Sequence, residues 1–295
     1  MPLSEESQLK ATFTTPFGRY CPTRAPFGLT SMPEIFSKKM DEVVEGLEGV
    51  IKSMDDFLVY GKNVQEHDEN LDRLFKKLEE YNVTLNEQKC KFRRSEVEFL
   101  GHLISAEGIK PLASKIESII EFPTPTCITE LRSFFGMAQQ LARFSPKFSK
   151  TAEPLRDLLS KKNDWLWTPV HENAFQEIKT LLSSPPILAH YNCNRETKIR
   201  TDCSKKNGLS VILFKKFDNE WRLVDSASRW LSPEEKNYFP IEIEMLGVAW
   251  GCVKMGKYLQ GLPNFLVETD HKPLIPILNS IRHVTQNSII ENEVA

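Results

Sequence analysis

Residues 50–60, with the sequence VIKSMDDFLVY, are the segment that most restricts how this chain can fold. Two short runs of strand-forming apolar residues flank the adjacent carboxylates Asp55 and Asp56, a pattern typical of a β-hairpin with an acidic tip. A tight hairpin turn normally contains Asn-Gly or Asp-Gly, because those residues adopt a positive φ easily. Asp-Asp at a turn departs from that rule, and such departures concentrate at functional sites.

The paired charges at this tip have two interpretations. Adjacent carboxylates repel each other unless a cation neutralises them, and Mg²⁺ binds carboxylate oxygens together with substrate phosphates. A solvated acidic turn would carry the same residues, and short motifs also match by chance. The hairpin taken alone leaves both interpretations open.

Length, charge and cysteine spacing exclude several classes of protein. At 295 residues and 40% hydrophobic, the chain can form two or three cores. The net charge of −2 argues neither for nor against binding to nucleic acid. The six cysteines lack the paired spacing of disulfide frameworks or zinc sites. No apolar run approaches the roughly 20 residues of a membrane span. We therefore expect an intracellular protein without a membrane segment, in a cytoplasmic particle or the nucleus.

Apolar periodicity predicts helices in the first half of the chain and strands later. Helical spacing covers residues 33–47, 65–81, 112–122, 128–144 and a helix that begins at Thr168-Pro169, and residues 99–105 resemble a strand. Three antiparallel strands are predicted at 198–202, 209–217 and 221–226. A capping box at Ser232 is expected to start a helical region, which continues after Pro240, and residues 264–270 form a last strand.

A second set of acids occurs in the strand-rich part. Asp202 and Asp270 each lie where a predicted strand ends, and Glu244 lies near the inward face of the helix between them. Three carboxylates around one point can hold two Mg²⁺ ions about 3.5–4 Å apart for phosphodiester hydrolysis. Each acid taken singly is more often a surface charge. Glu242 competes for the middle role, but residues two apart on a helix point to different sides.

Several motifs in order resemble those of one family. Residues 14–20 (TTPFGRY), 24–36 (RAPFGLTSMPEIF) and 99–102 (FLGH), with the acidic hairpin, resemble the palm of reverse transcriptases from gypsy-type LTR retrotransposons. Residues 201–204 (TDCS), 241–246 (IEIEML) and 269–274 (TDHKPL) resemble the three ribonuclease H motifs of the same elements. The resemblance runs from about residue 3 to about residue 278, and it selects Glu244 over Glu242.

The resemblance implies an α+β multi-domain fold. It predicts a partial reverse-transcriptase fingers and palm at 1–98, a primer-grip strand and helical thumb at 99–160, and a connection at 161–187. An incomplete ribonuclease H-like domain is expected at 188–280, followed by a divergent tail at 281–295.

The resemblance also implies chemistry and partners. The implied activity is RNA-directed DNA synthesis with ribonuclease H activity, by two-metal chemistry with Mg²⁺, or Mn²⁺ instead. Implied partners are an RNA template, a DNA primer, an RNA–DNA hybrid and deoxynucleotides, and the oligomeric state is left open. The implied catalytic and metal-binding residues are Asp55, Asp56, Asp202, Glu244 and Asp270; the implied nucleotide and primer region contains Pro26, Phe27, Gly28, Phe99, Leu100 and Gly101.

Departures from the family pattern lower the expected activity. Ser53 occupies a position that is usually aromatic, and Gln140-Leu141 replaces two tyrosines. A third palm aspartate is expected on a strand before Pro2, and the similarity fades after residue 280. We therefore expect truncation at both ends to impair polymerisation strongly and to leave weak cleavage of hybrids. The alternative is an inactive remnant, or a co-opted protein that binds nucleic acid or a partner.

Overall fold

The chain folds into two compact units, Met1–Arg94 and Ser95–Ala295, which are considered separately. The structure, a computed structural model, describes residues 1–160, 163–281 and 288–291. Within those residues, no helix combines the length and the apolar character that crossing a membrane requires.

The first unit is built from short strands and three helices. Its elements are α1 (Glu5–Lys10), β1 (Phe13–Thr15), β2 (Gly18–Tyr20), α2 (Met32–Val44), β3 (Val50–Ser53), β4 (Asp56–Val59) and α3 (Val64–Glu80). The Asn63 side chain caps α3 by accepting the Glu66 N–H at 2.8 Å. Met40 and Val43 of α2 and Leu74 and Leu78 of α3 form the buried core, against which the β3–β4 hairpin packs. The predicted helix–hairpin–helix order is therefore present.

The hairpin turn lies one residue earlier than the sequence predicts. Ser53 pairs with Asp56, so the two turn residues are Met54 and Asp55, and Asp56 begins β4. Met54 adopts a φ of +52°, which primed hairpin turns require at their first central position. The prediction that Asp55 and Asp56 form the turn is wrong, because a methionine is not expected to adopt the positive φ that Met54 has here.

The second unit begins with a three-stranded antiparallel sheet and a set of helices. These elements are β5 (Glu96–Phe99), β6 (His102–Ser105), β7 (Gly108–Pro111), α4 (Ala113–Ile120), α5 (Ile128–Leu141), α6 (Phe148–Thr151) and α7 (Pro169–Ser183). The single strand predicted for 99–105 is divided by a turn, because Leu100 and Gly101 adopt φ values of +50° and +74°. The helix predicted to reach residue 144 ends at Leu141, and a 3₁₀ turn follows at Ala142–Phe144.

Helices α4–α7 share one apolar core. Phe134, Phe144 and Phe175 are fully buried at its centre, and the rings of Phe134 and Phe175 lie 4.7 Å apart. The aromatic side chains bury large apolar areas, which stabilise the helices as one group.

The unit continues into a five-stranded sheet. Its elements are β8 (Thr197–Ser204), β9 (Gly208–Phe217), β10 (Glu220–Arg229), α8 (Pro240–Lys254), α9 (Gly256–Leu259), β11 (Phe265–Thr269), α10 (Leu274–Ile281) and β12 (Ser288–Glu291). The strand order is β10-β9-β8-β11-β12. Strands β10, β9 and β8 are antiparallel neighbours, whereas β11 runs parallel to both β8 and β12. The predicted three strands, helix and strand are all present.

One prediction about the elements around this sheet needs correction. The Ser232 capping box forms, since its N–H donates to Glu235 at 2.8 Å, but only a 3₁₀ turn at Glu235–Asn237 follows it. The helix starts afresh at Pro240, whose fixed φ suits a first helical turn. The divergent tail predicted for 281–295 stays a prediction; within it Ser288–Glu291 forms β12, and residues 282–287 and 292–295 lie outside the described chain.

Candidate active site

Two of the predicted acids lie side by side at one edge of the five-stranded sheet. Strands β8 and β11 are parallel, with Thr201 opposite Thr269, and Asp202 and Asp270 are the next residue along each strand path. Both aspartates are exposed. Asp202 lies within β8, two residues before its end, and Asp270 directly follows β11, so the Thr201–Thr269 register places the two aspartates beside each other on neighbouring strands.

The third predicted acid, Glu244, lies on α8 and is buried, with a relative exposure of 8%. Its Oε2 atom has no hydrogen-bond partner. Burial, and then the charges of Asp270 and Asp202, raise the pKa of Glu244 to about 7. A desolvated carboxyl group beside two others favours its protonated form, and a bound cation would reverse that preference.

Two glycines allow α8 to approach the sheet closely enough for this arrangement. A Cβ atom at Gly247 would lie 1.9 Å from the Cys203 Sγ atom, and one at Gly251 would lie 3.0 Å from a Val211 methyl group. Gly247 is three residues after Glu244, so both lie on the same helix face. Close packing of Gly247 on β8 therefore sets the depth at which Glu244 reaches the edge of the sheet.

The competing acid on this helix has a different role. The Glu242 carboxylate accepts the Phe239 N–H at 2.8 Å, which caps the first turn of α8. Glu242 is exposed, whereas Glu244 is buried. The two side chains thus point to different sides, as the helical spacing predicted.

The three acids fit a hard divalent cation by chemistry, although they are not closed into a ligand cluster. Carboxylate oxygens suit Mg²⁺ and Mn²⁺, and the unpartnered Glu244 oxygen is an available ligand atom. Across residues 1–160, 163–281 and 288–291, no three His, Cys, Asp or Glu side chains group closely enough to hold a metal ion. A metal would need to draw Asp202, Glu244 and Asp270 closer together.

The other acidic pair is exposed at the tip of the β3–β4 hairpin, where Asp55 ends the turn and Asp56 begins β4. Lys52 fixes this hairpin to α2. The side chain of Lys52 is 7% exposed, and its Nζ lies 2.6 Å from an Asp41 carboxylate oxygen. The Lys52 ammonium also donates to the Ser37 carbonyl at 2.8 Å. The carboxylates are therefore displayed on an anchored ribbon.

The predicted nucleotide and primer residues occupy loops and turns of the separate units. In the first unit, Phe27 is fully exposed beside Pro26, and Gly28 has a φ of +94°. In the second unit, Phe99 ends β5, while Leu100 and Gly101 form the following turn. Leu100 is 62% exposed, which leaves its side chain available to a partner. Their assignment to nucleotide or primer binding stays a prediction.

Sequence reasoning missed the residues that support Glu244. Gly247 and Gly251 carry no charge and lie outside the quoted motifs, and Cys203 lies inside the TDCS motif only as a neighbour of Asp202. The signal that could have revealed them is two glycines four residues apart inside an apolar helix, because an interior glycine costs about 1 kcal/mol relative to alanine and needs a packing reason.

Comparison with known proteins finds two family profiles. One, described as reverse transcriptase (RNA-dependent DNA polymerase), matches residues 1–104. The other, described as an RNase H-like domain found in reverse transcriptase, matches residues 167–267.

Relatives in full-length polyproteins cover nearly all of the chain. The transposon Tf2-3 polyprotein of Schizosaccharomyces pombe is 31% identical over 287 residues, which is 96% of this chain and 21% of that polyprotein. The retrovirus-related Pol polyprotein from transposon 297 of Drosophila melanogaster is 32% identical over 276 residues, 92% of this chain and 25% of the relative. The chain thus spans about a fifth to a quarter of the length of these relatives.

Solved structures share the fold. The foamy viral protease-reverse transcriptase in complex with dsDNA matches with a TM-score of 0.85 and 21% identity, covering 100% of this chain and 65% of that one. The same enzyme in complex with RNA/DNA hybrid matches with a TM-score of 0.80, covering 99% of this chain and 42% of that one.

Proposed function

The chain belongs to the reverse transcriptase and ribonuclease H region of LTR retrotransposon Pol polyproteins, and from this premise we propose that it acts in RNA-directed DNA synthesis and in cleavage of RNA within RNA–DNA hybrids. The observation that carries the proposal is the meeting of Asp202 and Asp270 at one sheet edge, with Glu244 buried beside them. The proposed partners are template, primer, hybrid and deoxynucleotides.

The nuclease half of the proposal uses the three acids of the sheet. When bound there, divalent ions supply an activated water and stabilise the leaving oxygen of a phosphodiester. Asp202 and Asp270 are exposed and can accept such ions from solvent. Glu244 is buried and must lose its proton before it binds a cation, and its raised pKa of about 7 makes that step depend on pH near neutrality.

The polymerase half uses the tip of the β3–β4 hairpin. Asp55 and Asp56 would hold the ions that stabilise the attacking and leaving oxygens during nucleotide addition. The resemblance calls for a third aspartate, which the tip does not supply. Since each 1.36 kcal/mol is a factor of ten in rate, the polypeptide of residues 1–295, tested alone, should extend primers poorly. Extension of a DNA primer on an RNA template at the rate of a complete enzyme would contradict this expectation.

The test of the nuclease half is cleavage of an end-labelled RNA–DNA hybrid. We expect slow cutting of the RNA strand with Mg²⁺ or Mn²⁺, loss of cutting with EDTA, and recovery when metal is added in excess. An RNA–RNA duplex of the same sequence is the control substrate. Equal cutting with EDTA present would contradict the proposal.

A second candidate function is binding to nucleic acid without turnover, and the departures from the family pattern at Ser53 and at Gln140-Leu141 favour it. A gel shift with primer–template, run beside the cleavage assay, separates the two functions, because a binding protein would shift the duplex without cutting it.

We also propose a reducing intracellular location, where all six cysteines stay as the free thiols seen here.

A further inference from the structure

Strand β10, at the edge of the five-stranded sheet, is joined to the three-stranded sheet β5–β6–β7 of the same unit. Leu188 pairs with Ile109 of β7 through hydrogen bonds of 2.8 and 3.0 Å. The next residue, Ala189, donates its N–H to the Leu223 carbonyl of β10 at 2.6 Å. One extended segment therefore bridges β7 and β10.

A glycine is needed for this bridge. Gly108 has a φ of +144°, and a Cβ atom there would lie 2.2 Å from the Leu188 carbonyl oxygen. Any other residue would force the two backbones apart. Beside it, Arg222 of β10 donates to the carbonyl of Glu107, in the turn between β6 and β7, at 2.9 Å, which adds a second link between β10 and the small sheet.

The helices also pack directly on the end of β10. Trp230 packs against the helical core, and its Nε1 donates to the Ser149 carbonyl at 3.3 Å. The ring of Phe135 meets Trp230 edge-on at 6.0 Å, and the Arg156 guanidinium lies 5.4 Å from the Trp230 ring centre. The Ser149 hydroxyl lies 2.6 Å from that of Ser228. Apolar and polar contacts thus alternate along this interface.

The centre of the interface is a buried carboxylate, Asp225, which is 7% exposed. It follows a bulge in β10 between Leu223 and Asp225. Tyr258 of α9 donates its hydroxyl to Asp225 at 3.0 Å, and Arg143, from the turn after α5, lies 3.3 Å away. Lys257 approaches the other oxygen at 3.6 Å. We call Asp225, Arg143, Tyr258 and Lys257 the Asp225 junction.

The junction draws its groups from both sides of the interface. A buried carboxylate is costly unless it is paired and hydrogen-bonded, and here the cation Arg143 comes from the helical side while Tyr258 and Lys257 come from the sheet side. Without Arg143, or without Tyr258 and Lys257, Asp225 would lose part of the charge pairing and hydrogen bonding that offset its burial. The junction therefore favours one relative placement of the two parts of residues 95–281.

We propose that Asp225 is a positioning residue that locks the five-stranded sheet onto residues 95–187, the part of this unit that contains α4–α7. This rests on the proposed nuclease function. Only β9 separates β10 from β8, which carries Asp202, so fixing β10 fixes the nuclease acids. A hybrid held against residues 95–187 would then be cut at a constant distance from its recessed end.

The test compares Asp225→Asn and Tyr258→Phe with the parent chain of 295 residues, in two measurements. The first maps cut positions on a hybrid with a labelled, recessed end. We expect the parent to cut within a narrow window and both variants to spread their cuts over several further nucleotides, with total cleavage within about threefold. The second is hydrogen exchange of the Ala142–Phe144 turn and of β10, which we expect to accelerate about tenfold in Asp225→Asn.

Glu235→Gln is the matched control. Glu235 pairs with Arg229 at 2.7 Å, but both residues lie on the sheet side, so the change should alter neither measurement at the interface. Unchanged cut positions and unchanged exchange in Asp225→Asn would overturn the proposal. Exchange needs no catalysis, so a parent chain that does not cut would refute the nuclease function and still leave the junction tested.

Discussion

The two acidic sites of this chain use carboxylates in opposite environments. Asp55 and Asp56 lie on an exposed two-stranded ribbon, which is held by the buried Lys52. Glu244 is buried against a five-stranded sheet and has an unpartnered oxygen. Water surrounds the exposed pair, whereas burial of the Glu244 carboxyl group costs free energy that a bound cation would offset.

The difference teaches where a metal would alter the protein most. Binding at the hairpin would neutralise charges that water already solvates. A cation bound at the five-stranded sheet would offset the charge of the desolvated Glu244 and those of Asp202 and Asp270. Such binding should therefore change the stability of the protein as well as its activity.

The largest expected effect is the loss of cleavage in Asp202→Asn. Removing one carboxylate from the sheet edge takes away several kcal/mol of metal-supplied stabilisation, and we expect hybrid cleavage to fall about 1,000-fold. The measurement is the single-turnover cleavage rate of a labelled hybrid. Asp218→Asn changes a carboxylate that is 98% exposed in the β9–β10 turn, and it should leave the rate unaltered. If Asp202→Asn cut within tenfold of the parent, the sheet would not be the nuclease site.

The next effect concerns how stability depends on pH. The pKa of Glu244 is raised to about 7 from its ordinary 4.5, so between these values the folded protein binds more protons than the unfolded chain. The contribution of Glu244 to the free energy of unfolding is therefore largest below pH 4.5. It is lost as the pH rises through 7, and the loss is about 3 kcal/mol at most. Glu244→Gln cannot ionise and should lose this dependence.

Urea unfolding in EDTA at pH 5 and pH 8 measures the effect. We expect the parent to lose stability between the two pH values by more than Glu244→Gln does, and Mg²⁺ at pH 8 to restore the parent alone. Glu242→Gln is the control, because that exposed cap lies two residues away and should keep the parent's pH dependence. Parallel pH profiles for the parent and Glu244→Gln would show that the buried site does not differ from the exposed one.

The third effect tests the packing that supports Glu244. In Gly247→Ala the new methyl group would meet the Cys203 sulfur, so we expect a loss of about 1–3 kcal/mol in the free energy of unfolding and slower cleavage. Gly136→Ala is the matched control within α5, where a Cβ atom meets nothing within 4 Å, and it should gain up to about 1 kcal/mol. Adding Cys203→Ala to Gly247→Ala should recover part of the loss. Equal stability of the two alanine variants would contradict this account.

The smallest effect is at the exposed hairpin. Met54 holds a φ of +52°, and a non-glycine residue there costs of order 1 kcal/mol. Met54→Gly should stabilise the hairpin by about that amount relative to Met54→Ala, measured as slower hydrogen exchange of the amides of β3 and β4. Faster exchange in the glycine variant would show that the turn is unstrained.

The hairpin shows what local sequence can and cannot predict. Two short runs of strand-forming apolar residues around Asp55 and Asp56 correctly predicted a hairpin with an acidic tip, and the tip is exposed. The turn position was wrong by one residue, because register depends on the pairing of Ser53 with Asp56, which overrides the preference of Met54 for negative φ. The metal-binding role of Asp55 and Asp56 stays a prediction.

In the five-stranded sheet, the sequence could predict the candidate acids but not the packing of Gly247 against Cys203 that supports Glu244. The prediction that Asp270 follows a strand is confirmed, whereas Asp202 lies inside β8, which continues for two residues beyond the predicted strand end. Strand β12 was missed because its four residues, SIIE, contain only two apolar side chains, which is too short a pattern to signal a strand. The Gly247 contact depends on which strand faces α8, which is a tertiary property. The roles of the five predicted catalytic acids stay predictions.

The bridge between β7 and β10 has a consequence for dividing the protein. An uncovered edge strand offers a row of free amides and carbonyls to which another molecule can add a strand. In the intact unit, Ala189 and the helices cover β10. A fragment that starts at residue 197 would expose that edge together with Trp230, and we expect it to self-associate or precipitate, whereas a fragment from residue 95 should remain dispersed.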